Sequence, residues 1–284
     1  MDSDERAIPP EEAFSLLGND TRIDIVRALW EADEPLSFSE LHDRIALRDS
    51  GQFNYHLNKL VGLFVRQKDG KYQLPFAGHR VIGAILSGTY TRHGESATFE
   101  LDTRCIECGG TLEAEYEEEM VTVRCSSCDE QRAMFGFPPG AFEGRSVEDL
   151  PRTFERWLRN AFSVAADGIC LNCSGRTVGA LVTDSEHFGD DQTAGVEFVC
   201  ERCGDYVSGN VGTYLLQHPA VVAFHYDRGV DLSRDSAWEL EWLGEDDARI
   251  VSEDPLSVEY TVELGGDELE LTVDSDLKVA VRQG

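Results

Sequence analysis

The stretch 49–74, DSGQFNYHLNKLVGLFVRQKDGKYQL, decides the reading of the fold. Phe53, Leu57 and Leu60 recur at helical spacing and mark the inner face of a helix running from about Ser50 to Leu63. Gln52, Asn54, Tyr55 and Asn58 point away from that face. The chain then reads VRQKDGKYQLP, a hairpin tipped by Asp69-Gly70, the dipeptide that suits a two-residue turn. A helix with a polar outer face, followed at once by a short basic hairpin, is the end of a winged helix-turn-helix.

The flanking sequence completes that order. Residues 11–17 read as a short helix with Phe14 and Leu17 on one face. A second helix begins at about Asp20, a good N-cap, and carries Ile23, Ile25, Val26, Leu29 and Trp30 until Pro35 ends it. LSFSELHDRIAL reads as a third helix, capped by Ser37 or Ser39 and burying Leu41 and Ile45, and Arg48–Gly51 turns into the fourth. After the hairpin, Val81, Ile82, Ile85 and Leu86 mark a last helix over about 76–89. Residues 1–92 are therefore expected to form a winged helix-turn-helix DNA-binding domain.

Charge supports an anionic partner for this segment. Asp plus Glu number 54 against 25 Lys plus Arg, a net charge of −29, and only Lys59, Lys68, Lys71 and Lys278 are lysines. Acidic excess with arginine replacing lysine is the composition of proteins that work in molar salt, where carboxylates keep a chain hydrated and salt screens their repulsion. The excess is uneven. Residues 1–90 have a net charge of −4 and residues 91–284 one of −25, yet within 44–80 seven basic residues face only Asp49 and Asp69. A basic island in so acidic a chain reads as a surface kept for phosphate.

AFSLLGNDTRIDIVRALWEADEPLSFSELHDRI, together with the stretch quoted first, resembles the arsenic-repressor-type (ArsR-like) transcription regulators over about residues 10–90. The whole architecture resembles haloarchaeal proteins that join such a head to zinc-ribbon bodies. The resemblance implies a recognition helix in the major groove of double-stranded DNA, a wing along the backbone, and a homodimer paired through its first and last helices. Phe14, Ile82, Ile85 and Leu86 are the apolar positions expected near that interface. The metal-sensing cysteines of the family are missing, since this head contains no Cys.

All eight cysteines fall in four Cys-x-x-Cys pairs, Cys105/Cys108, Cys125/Cys128, Cys170/Cys173 and Cys200/Cys203. Each pair can place two thiolates on one side of a backbone knuckle, half of a tetrahedral site. Gly109 and Gly204 can take the positive φ that such knuckles favour. Between the first two pairs, alternating Leu112, Ala114 and Tyr116, then Val121 and Val123, read as the hairpin that joins them. Disulfides do not fit a chain expected in the cytoplasm, no pair is followed by the His of haem attachment, and a redox pair would not explain four repeats. The expectation is two structural Zn2+ per chain, each closed by four thiolates.

The remaining sequence gives an α+β class: the winged head, a first zinc ribbon over 99–145, a linking amphipathic helix over 146–168, a second ribbon over 169–210, and a helix plus antiparallel β region over 211–284. Ser146 is the expected cap of the linking helix, whose apolar face is Leu150, Phe154, Trp157, Leu158, Ala161, Phe162 and Ala165. The loop Asp184–Gly195, which includes His187, reads as a solvated insertion. Residues 210–227 read as helical with Pro219 starting or kinking the second half, and AWELEWL, LSVEYTVEL, ELELTVD and LKVAVR as strands. The opening MDSDERAIPP has no apolar core for a signal peptide, and no run approaches the ~20 apolar residues of a membrane span.

The functional expectation is a regulator of transcription and not an enzyme, because no nucleophile–base pair or phosphate loop is visible and closed zinc leaves no position for substrate. Base contacts are expected from Gln52, Asn54, Tyr55 and Asn58, and phosphate contacts from Arg48, Ser50, Lys59, Arg66, Lys68 and Lys71. His56, on the same helix, is read as a packing residue. The alternative is a general accessory factor that contacts RNA polymerase, as transcription factor E joins a winged helix to a zinc ribbon; the acidic C-terminal half suits a protein contact in either case.

Overall fold

The structure is a computed structural model, and it describes residues 8–91, 96–105, 107–183, 194–235, 240–243 and 248–282. The class is α+β, with every sheet antiparallel. The chain divides into two compact units, Met1–His93 with Pro138–Gly140, and Gly94–Phe137 with Ala141–Gly284. Among the described residues no helix is long and apolar enough to cross a membrane.

The first unit runs α1 (Pro10–Ser15), α2 (Asp20–Glu31), β1 (Leu36–Ser37), α3 (Phe38–Arg44), α4 (Ser50–Leu60), β2 (Arg66–Lys68), β3 (Lys71–Gln73) and α5 (Phe76–Ser87). The caps decide where these helices start. Asn19, and not Asp20, caps α2 by accepting from Arg22 N–H. Ser37 and Glu40 form a reciprocal capping box on α3. Asp49 accepts from the N–H groups of Gly51 and Gln52 at 2.8 and 3.1 Å, which fixes the first turn of α4. That helix ends at Leu60, three residues before its expected end, because Val61 adopts extended backbone. Asp69 and Gly70 both have positive φ, 50° and 75°, the pair of conformations a tight hairpin tip requires. The small sheet has the order β1-β3-β2.

The core of this unit draws Ile25, Val26 and Leu29 from α2, Leu41 from α3, and Phe53, Leu57 and Leu60 from α4. Gly78 lets α5 close on it, since a Cβ there would stand 2.5 Å from the Phe64 carbonyl oxygen. Ile82 lies in the same core at 1% exposure and is not free for an interface between copies, whereas Ile85 packs against that core and stays partly exposed. Phe14 and Leu86, from the same expected set, are exposed.

Among the described residues the second unit holds three sheets. β4 (Ala97–Arg104), β5 (Thr111–Glu117), β6 (Met120–Cys125) and β7 (Gln131–Gly136) pair in sequence order. After a 3-10 turn at Val147–Asp149 comes α6 (Leu150–Ala166). Ser146 does not cap it; its hydroxyl binds the Asp149 carboxylate. Leu150, Phe154 and Leu158 of α6 pack with the first sheet, whereas Phe162 and Ala165 enter the core of the following elements. One helix thus serves two cores with successive turns.

β8 (Thr177–Val182), β9 (Gly195–Cys200) and β10 (Tyr206–Asn210) form a sheet with β9 central, followed by α7 (Val211–Leu215) and α8 (Pro219–Tyr226). His187 and most of the expected loop before β9 lie outside the described residues. The last sheet is β11 (Arg249–Glu253), β12 (Leu256–Leu264), β13 (Asp267–Asp274) and β14 (Val279–Val281). The expected strand AWELEWL is not formed where it is described: Glu241–Leu243 is a 3-10 turn, and residues 236–239 lie outside the described set. The turn buries Trp242 at 3% exposure and presents the Trp242 carbonyl to Tyr260 Oη at 2.6 Å.

A fully buried histidine stands at the centre of this last core. His225 Nδ1 lies 2.8 Å from the Val221 carbonyl and must donate to it, so Nε2 is left to accept the Trp242 indole N–H at 3.1 Å. Both nitrogens are satisfied only in the neutral ring. Burial pushes the His225 pKa below its ordinary value, the Val221 hydrogen bond opposes this, and the charge of Arg228 adds to the lowering. A depressed histidine pKa contributes stability that is complete above the ordinary pKa near 6.5 and is lost as pH falls below it. Wild-type protein is therefore expected to lose stability in this unit between about pH 7 and pH 5, and His225→Gln, which can donate and accept without titrating, should show a smaller fall. Denaturant melts of both proteins across that range check this; equal slopes would exclude His225 as the cause.

Candidate metal centres

Three of the four knuckles begin at strand ends. Cys105 directly follows β4 and Cys125 ends β6, while Cys170 follows α6 and Cys200 ends β9. All four knuckles close in the same way. The carbonyl of the first cysteine accepts the N–H four residues on, from Gly109, Asp129, Ser174 and Gly204, at 2.7–3.0 Å. Its own N–H donates to the carbonyl five residues on, of Gly110, Glu130, Gly175 and Asp205, at 2.7–2.9 Å. The residue four positions on is left-handed every time, with φ of 70°, 63°, 56° and 75°. Sequence reasoning finds this position only where it is glycine; Asp129 and Ser174 adopt it without that signal.

The knuckles meet in two groups, Cys105, Cys108, Cys125 and Cys128, and Cys170, Cys173, Cys200 and Cys203, each with all its sulfurs within 4.8 Å of one another. Cross-knuckle separations are 3.8 Å for Cys105–Cys128, 3.4 Å for Cys108–Cys125, 3.7 Å for Cys170–Cys203 and 3.5 Å for Cys173–Cys200. A tetrahedral ion with sulfur at about 2.3 Å requires an edge of about 3.8 Å, so the donor sets fit a cation. All eight thiols are free, and none of these pairs is bonded. Both groups could hold a metal ion.

The surroundings prepare sulfur for negative charge. Backbone N–H groups of Gly110, Ser127, Gly175 and Arg202 point at Cys108, Cys125, Cys173 and Cys200 at 3.3–3.4 Å. Burial works against ionisation of Cys105, yet the Cys108 N–H, the Arg132 guanidinium and the Glu107 N–H together bring it down to about 6. Cys200 also falls to about 6, chiefly through the Cys203 N–H. The protons collect on their neighbours. Although the Glu130 N–H pulls the other way, burial and the adjacent sulfurs push Cys128 up to about 12, and Cys108, Cys170 and Cys203 also stand above the ordinary thiol value.

The residues expected to touch DNA lie in the first unit. Arg48 is in the turn before α4; Ser50, Gln52, Asn54, Tyr55, Asn58 and Lys59 are on α4; Arg66 and Lys68 are on β2 and Lys71 on β3; all ten are exposed. Lys59 Nζ lies 5.7 Å above the Tyr55 ring, joining a cation to the aromatic side chain on the outer face of α4. His56 is half-buried, and its Nδ1 is buried without a hydrogen-bond partner among the described residues.

Residues 102–279 match the family described as Domain of unknown function (DUF7351), more than half of the chain, and the chain belongs to that family. Residues 10–85 match a second family, Domain of unknown function (DUF7347). No curated protein and no solved structure matches the chain.

Loading a cation into thiols that hold protons at neutral pH must expel those protons. Native mass spectrometry of reduced protein should find two metal ions per chain. Competition with a chelator should show affinity rising from pH 6 to pH 8. Metal withdrawal should raise hydrogen exchange in β4–β10 and leave α2–α5 unchanged. One ion or none in folded, reduced protein would refute the two-centre reading.

Proposed function

We propose that the chain is a DNA-binding transcription regulator: an ArsR-like winged helix-turn-helix, with α4 as recognition helix and β2–β3 as wing, carried with two zinc ribbons. The observation that supports it best is the outer face of α4. Its inner residues Phe53, Leu57 and Leu60 are fully buried, which holds Gln52, Asn54, Tyr55 and Asn58 on a rigid exposed surface, flanked by Arg48, Lys59, Arg66, Lys68 and Lys71. A helix so fixed can enter a major groove with its amides aimed at base edges, while the basic hairpin tracks phosphate.

Zinc is the occupant that suits both clusters. Four thiolates in a tetrahedral set select a soft cation, zinc brings no redox chemistry of its own, and cytoplasmic conditions keep the ligands reduced. With four protein ligands the sphere is closed, so the ions stabilise fold and the chain is not an enzyme.

The head acts as a homodimer. Phe14, Phe76 and Leu86 are 72%, 81% and 46% exposed, and α1 buries none of its own residues, so these apolar side chains would gain by meeting a second copy. Light scattering in high salt should give a dimer at micromolar concentration, with Phe14→Glu shifting it to monomer. A strict monomer would remove this part of the reading.

A second reading, an accessory factor that contacts RNA polymerase, is favoured by the outer face of the β4–β7 sheet, where Glu100 stands in register with Glu113 and Glu115 and Glu117 follow along β5. The two readings separate by mutation. Gln52→Ala or Tyr55→Ala should cost about 1–3 kcal/mol at the target site and relax its sequence preference. Lys68→Ala or Lys71→Ala should weaken all DNA sequences alike and flatten the salt dependence. If the α4 variants bind the native promoter like wild type, the accessory-factor reading takes first place.

A further inference from the structure

The two clusters share a backbone plan but differ in the charged side chain that touches sulfur. At the first, Arg132 Nη2 donates to Cys105 Sγ at 3.7 Å and is itself held by Glu107 at 3.4 Å, with its side chain only 15% exposed. At the second, the contact is with a carboxylate: Asp205 Oδ2 lies 3.6 Å from Cys170 Sγ. Arg202, in the knuckle of that cluster, contributes its backbone N–H to Cys200 and makes no side-chain bond to a sulfur among the described residues.

A divalent ion with four thiolates carries two negative charges in excess. A guanidinium in contact with one sulfur offsets part of that charge and lowers the free energy of the loaded state. A carboxylate in contact with one sulfur adds to the charge and raises it. At 3.7 and 3.6 Å no hydrated ion fits between the partners, so bulk salt weakens these contacts less than it weakens distant ones. The carboxylate also offers the second cluster an oxygen beside a sulfur, so a departing or arriving ion can be met by Asp205 while Cys170 is free.

We propose that the two metal centres are unequal by construction: the first, backed by Arg132, is a permanent structural site, and the second, opposed by Asp205, is an exchangeable site whose ion leaves and returns under conditions that the first withstands. The consequence falls on the core of the C-terminal half. Cys200 ends β9, and on that strand Val196 and Phe198 belong to the cluster that also contains Phe162 of α6, Val211 and Leu215 of α7, and Val258 and Val262 of β12. Loss of the second ion loosens β8–β10 and the packing of those elements. The first sheet, with its own core of Leu112, Tyr116, Val121, Val123 and Phe154, keeps its form. The second cluster is then a point at which supply of a soft divalent cation regulates this half of the chain.

This inference rests on both clusters holding metal, and the experiment separates the two failures. Full-length protein is first shown by native mass spectrometry to carry two zinc ions. It is then equilibrated with increasing chelator, and the released thiols are alkylated and assigned by peptide mass spectrometry. Cys170, Cys173, Cys200 and Cys203 should become labelled at lower chelator than Cys105, Cys108, Cys125 and Cys128. Asp205→Asn should move the second step to about ten- to a hundredfold more chelator and leave the first cluster unchanged. Arg132→Gln should move the first cluster by a similar factor the other way. Simultaneous release, the reverse order, or an Asp205→Asn protein with wild-type release overturns the proposal. A chain that carries no zinc at the outset fails the metal reading itself.

Discussion

Eight sulfurs, brought into two groups by four backbone turns of one design, are the constraint on which the second unit depends. Each turn satisfies its own peptide groups through the same two hydrogen bonds and leaves its sulfurs facing a partner knuckle. The sheets they terminate are small, of three and four strands. A cation in either group would tie strand ends together and add to the stability that these short sheets draw from burial. α6 then completes the arrangement, with Phe154 in one core and Phe162 in the next.

Much of this was legible in the sequence because its signals are local and periodic. The spacing of Phe53, Leu57 and Leu60 marked the buried face of α4, Asp69-Gly70 marked the hairpin tip, and four Cys-x-x-Cys pairs announced two four-sulfur groups. What was illegible depends on contacts across long separations or on conformations with no residue signature. Asp129 and Ser174 take the left-handed position that glycine takes in the other two knuckles. Glu241–Leu243 alternates like a strand yet turns, and Trp242 is held inward by His225 and Tyr260. The resemblance to ArsR-like heads, which pair through their first and last helices, put Ile82 near an interface; burial in the head assigns it to the core. Arg132 and Asp205 carry no motif, and only the fold brings them to sulfur.

Charge divides the molecule by role. The body takes nearly all of the acidic excess, whereas the segment 44–80 has net positive charge and presents it around the outer face of α4. On the proposed DNA-binding reading, concentrated salt screens the carboxylates from phosphate, and general attraction to phosphate weakens as well, because little is gained by releasing counterions into an already salty medium. Recognition under those conditions has to rely on short-range contacts from a rigid helix and on the doubling of such contacts in a dimer. The fully buried anchor of α4 and the exposed apolar surface of α1 and α5 are what that requirement would select.

On the proposed reading, α4 reads sequence in double-stranded DNA. Genome-wide occupancy of the full chain in its native host tests it most directly. Discrete sites with two half-sites related by a palindrome, at a limited set of promoters, are expected. Even occupancy of most active promoters without a shared sequence would contradict it.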